Sequence, residues 1–124
     1  QGHGETILIV EDDAALRATM VELLAAWGYQ VRQATNGNEA LALLLAPDAP
    51  IDLVLSDVVM PKSGGVALFK ALRAHNVEKP VILLSGHPLA EEVEELRSLG
   101  LRAWLTKPPD AGDLAQALAT ALLG

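Results

Sequence analysis

The chain contains no cysteine. That excludes a disulfide framework, thiol chemistry and a zinc ribbon, and it fits a reducing compartment. Basic residues are few. Nine Lys and Arg stand against 16 Asp and Glu, for a formal net charge of -7 at pH 7 and a pI near 4.8. A general nucleic-acid-binding surface is normally basic, so the balance argues against one. No apolar stretch is long enough to span a membrane, and no signal-peptide pattern is visible. Low-complexity tracts and internal linkers are absent too. No G-x-G-x-x-G follows the first apolar run, which weakens a nucleotide-binding Rossmann reading.

What is there is enough apolar sequence for one compact core: 51% of the 124 residues are hydrophobic,. Residues 1–4 (Gln1, Gly2, His3, Gly4) read as a linker remnant, and residues 5–124 as the domain. Strand-like and helix-like segments alternate along it. Thr6 to Val10 (TILIV) is short, apolar and rich in β-branched residues, hence a buried strand. Leu16, Met20, Leu23, Leu24 and Trp27 then recur at helical spacing, and Gly28 stops that helix. Gln30 to Thr35 alternates weakly and suggests a more exposed strand. Asn36 with Glu39 resembles a capping box for a helix carrying Leu41, Leu44 and Leu45, closed near Pro47. Asp52 to Ser56 is the third strand. Val66, Phe69 and Leu72 mark the third helix, with Ser63 as its cap. Pro80 to Leu84 is the fourth strand. The fourth helix starts at Pro88, carries Leu89, Val93, Leu96 and Leu99, and ends at Gly100. Leu101 to Leu105 is the fifth strand, and Asp110 caps a fifth helix with Leu114, Leu118, Ala121 and Leu122.

Five strand–helix units in a row predict an α/β domain: a doubly wound parallel sheet with five helices covering both faces. The common order for five such strands is 2-1-3-4-5. Ligands then sit at the carboxyl ends of strands 1 and 3, where the winding reverses.

The residues after each strand collect at that edge. Strand 1 leads into Glu11, Asp12 and Asp13; strand 3 into Asp57; strand 4 into Ser85, Gly86 and His87; strand 5 into Thr106, Lys107 and Pro108. A carboxylate such as Asp57 at the rim of a core is costly unless something charged or hydrogen-bonding meets it. Several carboxylates crowded together raise one another's proton affinity unless a cation intervenes. An oxygen-only acidic site favours Mg²⁺ or another hard cation. With a lysine and a hydroxyl added, the set suits a phosphoryl group.

In ILIVEDD, LVLSDVVMP, Gly65, LLSG and LTKP, which occur in order over nearly the whole chain, the sequence resembles the response-regulator receiver domain, the phosphoacceptor module of bacterial two-component signalling. The ordered set is specific where any one stretch is not. The resemblance implies the flavodoxin-like receiver fold and a role for each matching residue. Asp57 would be the nucleophile that takes a phosphoryl group from a histidine-kinase phosphohistidine. Asp12 would bind Mg²⁺ directly, with Asp57 and the backbone carbonyl of Val59, while Glu11 would act on it mainly through water. Lys107 would pair with the phosphoryl oxygens. Ser85 would swing toward them after transfer, and Trp104 holds the place of the aromatic switch residue. The Lys107–Pro108 bond would be cis.

The sequence departs from the family pattern at several places. Glu11 replaces the commoner aspartate, which a water-mediated contact tolerates. Ser85 replaces threonine and keeps the hydroxyl. Trp104 replaces a smaller aromatic residue, so its bulk opposes a fully buried inward state. Gly64 stands where an acidic or small polar residue is usual. Val59 and His87 lie two residues beyond Asp57 and Ser85, at positions that tune phosphoryl lifetime in the family; an apolar Val59 hinders attack by water.

Taken singly, each residue has a plainer role. Asp12 and Asp13 suit helix caps, and Asp13 is the better cap. Asp57 alone is a turn aspartate, Lys107 a solvated lysine, and Trp104 core filling. His75 is a surface residue, and Glu91, Glu92, Glu94 and Glu95 form a solvated helix face. The functional reading prevails for Asp12, Asp57 and Lys107 because three separate strand ends supply complementary groups.

The leading expectation is a phosphorylation-controlled switch that modifies itself and turns over no independent metabolite. Its partners would be a histidine kinase or a histidine phosphotransfer protein, with neither nucleic acid nor membrane contacted directly by this domain. Self-association through the fourth helix, fifth strand and fifth helix would follow the family. A pseudo-receiver, a protein-interaction module that never uses phosphate, is the main alternative. A phosphohydrolase of the aspartyl-phosphate type needs a second acid two residues after the nucleophile, where this chain has Val59. GHGETILIVEDD and SGH are similar to receivers at the C-termini of hybrid sensor histidine kinases, which implies a cytoplasmic domain whose parent can be membrane-attached. A stand-alone regulator, or one severed from a DNA-binding domain, is the other arrangement.

Overall fold

The structure, a computed structural model, describes residues 4–45, 51–57, 65–75, 79–85, 98, 103–106 and 110–123. Five strands form one sheet: β1 (Thr6–Val10), β2 (Gln30–Ala34), β3 (Leu53–Asp57), β4 (Val81–Ser85) and β5 (Ala103–Thr106). Their order is β2-β1-β3-β4-β5, and every neighbouring pair runs parallel. The described helices are α1 (Ala14–Ala26), α2 (Gly37–Leu45), α3 (Gly65–Ala74) and α4 (Ala111–Leu123). The helix expected from Pro88 to Leu99 lies outside the described residues except for Ser98, as do Pro47, Ser63, Gly64 and Gly100.

Burial explains the strand compositions. β1 lies between β2 and β3 and is buried along its whole length, which is why TILIV shows no polar alternation,. β2 is an edge strand, and its Gln30, Arg32 and Gln33 are exposed. Polar side chains there discourage pairing with another chain.

Side chains pointing to opposite faces of the strands build two separate cores. On one face Leu8, Val10, Val54, Val81 and Leu83 pack with Ala40 and Leu44 of α2 and with Phe69 and Leu72 of α3. On the other, Ile7, Ile9, Leu53, Leu55, Ile82 and Leu84 pack with Met20 and Leu24 of α1 and with Leu114, Leu118 and Ala121 of α4. Leu45, expected in the α2 stripe, is instead 44% exposed. The buried stripe is set by Ala40 and Leu44, four residues apart, and Leu45 turns away from it,.

The helix ends follow local chemistry. Asp13 caps α1, its Oδ1 accepting from the amides of Ala15 (3.0 Å) and Leu16 (3.1 Å),. At the other end Gly28, at φ 92°, donates to the carbonyl of Ala25, and Tyr29 donates to that of Leu24, both at 3.1 Å. This is a Schellman closure, and Leu24 and Tyr29 supply its apolar contact inside the core,. At α2, Asn36 Oδ1 accepts from Glu39 N (2.8 Å) while Glu39 Oε1 reaches back to Thr35 N (2.8 Å),. Asp110 Oδ1 accepts from Gly112 N (2.7 Å) at the start of α4.

Four boundaries in β2, β3 and β4 differ from expectation for a visible reason. β2 stops at Ala34 because the Thr35 amide is taken by Glu39. β3 begins at Leu53, since Asp52 is used in a clamp: its amide donates to Thr6 O and its Oδ2 accepts from Thr6 N, both at 2.8 Å. β3 then runs one residue further because Asp57 pairs with Leu84 of β4. β4 begins at Val81, because Pro80 has no amide to offer a ladder,. Among the described residues, no helix is long and apolar enough to cross a membrane.

Candidate functional site

Parallel strands bring all their carboxyl ends to one edge of the sheet. The register shows which residues become neighbours there. Val10 pairs with Ser56, so Glu11 and Asp57 follow on the next rung of β1 and β3. Asp57 pairs with Leu84, which places Ser85 one residue beyond it on β4. Ser85 in turn pairs with Thr106 at the end of β5. The backbone thus sets Glu11 and Asp57 on one rung and Ser85 and Thr106 on the next, all at the same edge of the sheet. Val59 and Lys107 lie outside the described residues, as do the side chains of Asp57, Ser85 and Trp104. Trp104 belongs to β5, where its backbone pairs with Leu83. His75 is exposed, as expected of a surface residue.

The β1–α1 junction is described in full. Asp12 is exposed and Glu11 is 1% exposed. A carboxylate so deeply placed needs hydrogen bonds. Glu11 Oε2 accepts from the amide of Asp13 at 3.1 Å. Its own amide donates to Ala34 O at 3.1 Å, which extends the contact with β2 by one residue. Its carbonyl accepts from Arg17 Nη1 at 2.8 Å. Asp13 is therefore fully engaged as a cap and as a donor to Glu11. Asp12 is left facing solvent, two residues past the end of β1.

Arg17 was not legible as part of this edge. It stands one turn into α1, and its guanidinium folds back over the N-terminal turn to the end of β1, the direction helical side chains favour. Its Nε also donates to Gln33 Oε1 at 3.2 Å. Only the helical spacing from Asp13 to Arg17 hinted at that reach.

The donors assembled by this edge are oxygens, the set that suits a hard divalent cation. Within the described residues no group of three His, Cys, Asp or Glu side chains could hold a metal ion. Glu11 and Asp12 supply two carboxylates, and a third at this rung falls to Asp57. That combination fits Mg²⁺ by donor chemistry.

Comparison with known proteins bears on the whole chain. The family model for the response regulator receiver domain matches residues 7–119. The transcriptional regulatory protein ZraR of Salmonella typhimurium is 34% identical over 116 residues, covering 94% of this chain and 26% of that protein. The sensor histidine kinase RcsC of Salmonella typhi is 35% identical over 113 residues, covering 91% of this chain and 12% of that protein. The chain thus spans about a quarter or less of these relatives. Among solved structures, the chemotaxis protein CheY4 of Vibrio cholerae superposes with a TM-score of 0.85 at 31% identity, covering 97% of this chain and all of that one.

Proposed function

The chain belongs to the response regulator receiver domain family, and from that membership we propose that it is a phosphoacceptor switch with Asp57 as its acceptor. The convergence of Glu11, Asp57 and Ser85 on the carboxyl edge of the sheet is the observation that carries this reading. A carboxylate oxygen of Asp57 attacks the phosphorus of a phosphohistidine on a histidine kinase or histidine phosphotransfer protein. The P–N bond breaks, the imidazole nitrogen keeps the bonding pair, and an aspartyl phosphate forms. Attack by water later returns the carboxylate and inorganic phosphate. Asp12, Asp57 and the Val59 carbonyl would hold Mg²⁺, with Glu11 acting through water; the ion supplies charge neutralisation at the phosphoryl oxygens. Lys107 pairs with those oxygens and Ser85 donates its hydroxyl to them.

The new charge biases a two-state region that includes β5, with Trp104, and α4. With the segment between β4 and β5, these would make the surface of a homodimer. The domain works in the cytoplasm. Its lead-in GHGETILIVEDD favours a hybrid sensor histidine kinase as the parent, and a response regulator is the other arrangement.

The test is intact mass after incubation with Mg²⁺ and acetyl phosphate, beside an Asp57→Asn control. One Mg²⁺-dependent phosphoryl addition, absent from the control, is expected. No addition from acetyl phosphate or from a range of phosphohistidine donors would leave a phosphate-independent interaction module as the better reading.

A further inference from the structure

We propose that Arg17 is a positioning residue for the acidic edge, setting the peptide from which Asp12 projects. The inference rests on the receiver reading and adds a residue to its machinery. The carbonyl of Glu11 and the amide of Asp12 belong to one rigid plane. Arg17 Nη1 holds that plane by a charge-assisted bond of 2.8 Å to the Glu11 oxygen,. The same guanidinium is braced by its 3.2 Å bond to Gln33 on β2. Glu11 is pinned at its amide by Ala34 and at its carboxylate by Asp13, so with Arg17 three hydrogen bonds fix the residue before Asp12. Arg17 thereby ties α1 and the edge strand to the peptide that aims the exposed carboxylate. Its positive charge also opposes a cation bound nearby, so geometry and charge act in opposite directions on metal affinity. At 2.8 Å and braced on a second strand, the directional bond prevails.

The test compares wild type with Arg17→Ala, Arg17→Lys and Gln33→Ala. Mg²⁺ affinity of the unphosphorylated domain is measured by calorimetry, and the Glu11 carbonyl carbon shift by NMR without metal. Arg17→Ala should weaken Mg²⁺ binding by about tenfold, the low end of what losing a supporting group around a metal site costs. Arg17→Lys, which keeps the charge but not the fork, should recover only part of this, and Gln33→Ala should show a smaller loss. The carbonyl shift should move in both Arg17 variants. Tighter Mg²⁺ binding in Arg17→Ala would show that the guanidinium acts only as a nearby charge and would overturn the assignment. Unchanged affinity with normal folding would overturn it as well. Wild type that binds Mg²⁺ and takes phosphate while Arg17→Ala is unaltered refutes only the role of Arg17. Wild type that does neither refutes the receiver reading on which it rests.

Discussion

Removing the Asp52 carboxylate should loosen the end of the sheet farthest from the proposed phosphoacceptor. Asp52 and Thr6 exchange two hydrogen bonds of 2.8 Å across 46 residues of sequence, one to the side-chain Oδ2 and one to the Thr6 carbonyl. Asp52→Ala keeps the second bond and deletes the first. The Thr6 amide is part-buried, so water replaces the lost acceptor poorly, and the cost is about 1–2 kcal/mol. Unfolding entropy of about 2.1 cal/mol/K per residue over 124 residues gives about 0.26 kcal/mol per degree,. The melting temperature should therefore fall by about 4–8 °C. Asp52→Asn keeps an acceptor oxygen and should lose less than half as much. Urea and thermal unfolding read both variants, with acetyl phosphate labelling as the control, since Thr6 begins β1 and Glu11 follows its other end. A melting temperature for Asp52→Ala within about 1 °C of wild type would refute the reasoning. So would an Asn variant as damaged as the Ala one, because the acceptor atom would then not be what matters.

Two further perturbations bear on α1 and its packing. Gly28→Ala forces a Cβ into φ 92° and should cost about 1–2 kcal/mol in urea unfolding, without altering Mg²⁺ affinity,. Burial, and secondarily the charge of Glu5, raises the pKa of Tyr29 above its ordinary 10.0. The folded state then holds the phenolic proton more tightly than the unfolded chain. The contribution is intact below pH 10.0 and is lost as pH climbs through the folded value,. Tyr29→Phe should flatten that decline in urea midpoints taken on either side of this window.

Local signals were legible and distant ones were not. Asp13, Asn36, Glu39, Asp110 and Gly28 announce helix ends because a cap bonds to residues a few positions away. The apolar runs of β1 and β3 announce strands buried on both faces. Boundaries depart from the sequence pattern where a partner from elsewhere decides them. Asp52 looks like the first residue of β3 until Thr6 claims it, and Asp57 looks like the residue after β3 until Leu84 pairs with it. The role of Arg17 is illegible in the sequence for the same reason: nothing in its neighbours names the Glu11 carbonyl as its target. The acidic edge itself could be read because parallel strands send every following residue to the same side. The roles of Val59 and Lys107 came from the family pattern, and both residues fall outside the described structure.

The two cores have a consequence for how the sequence can drift. One set of side chains lies under α1 and α4, the other under α2 and α3, and the shared member is the backbone of the sheet. Volume lost at Leu24 cannot be made good by a larger residue at Leu44, because they fill different rooms on either side of the same wall. Compensating changes should therefore travel in two independent groups. A lineage could rebuild the chamber behind one pair of helices, and the surface those helices present, while the other chamber keeps its old furnishing.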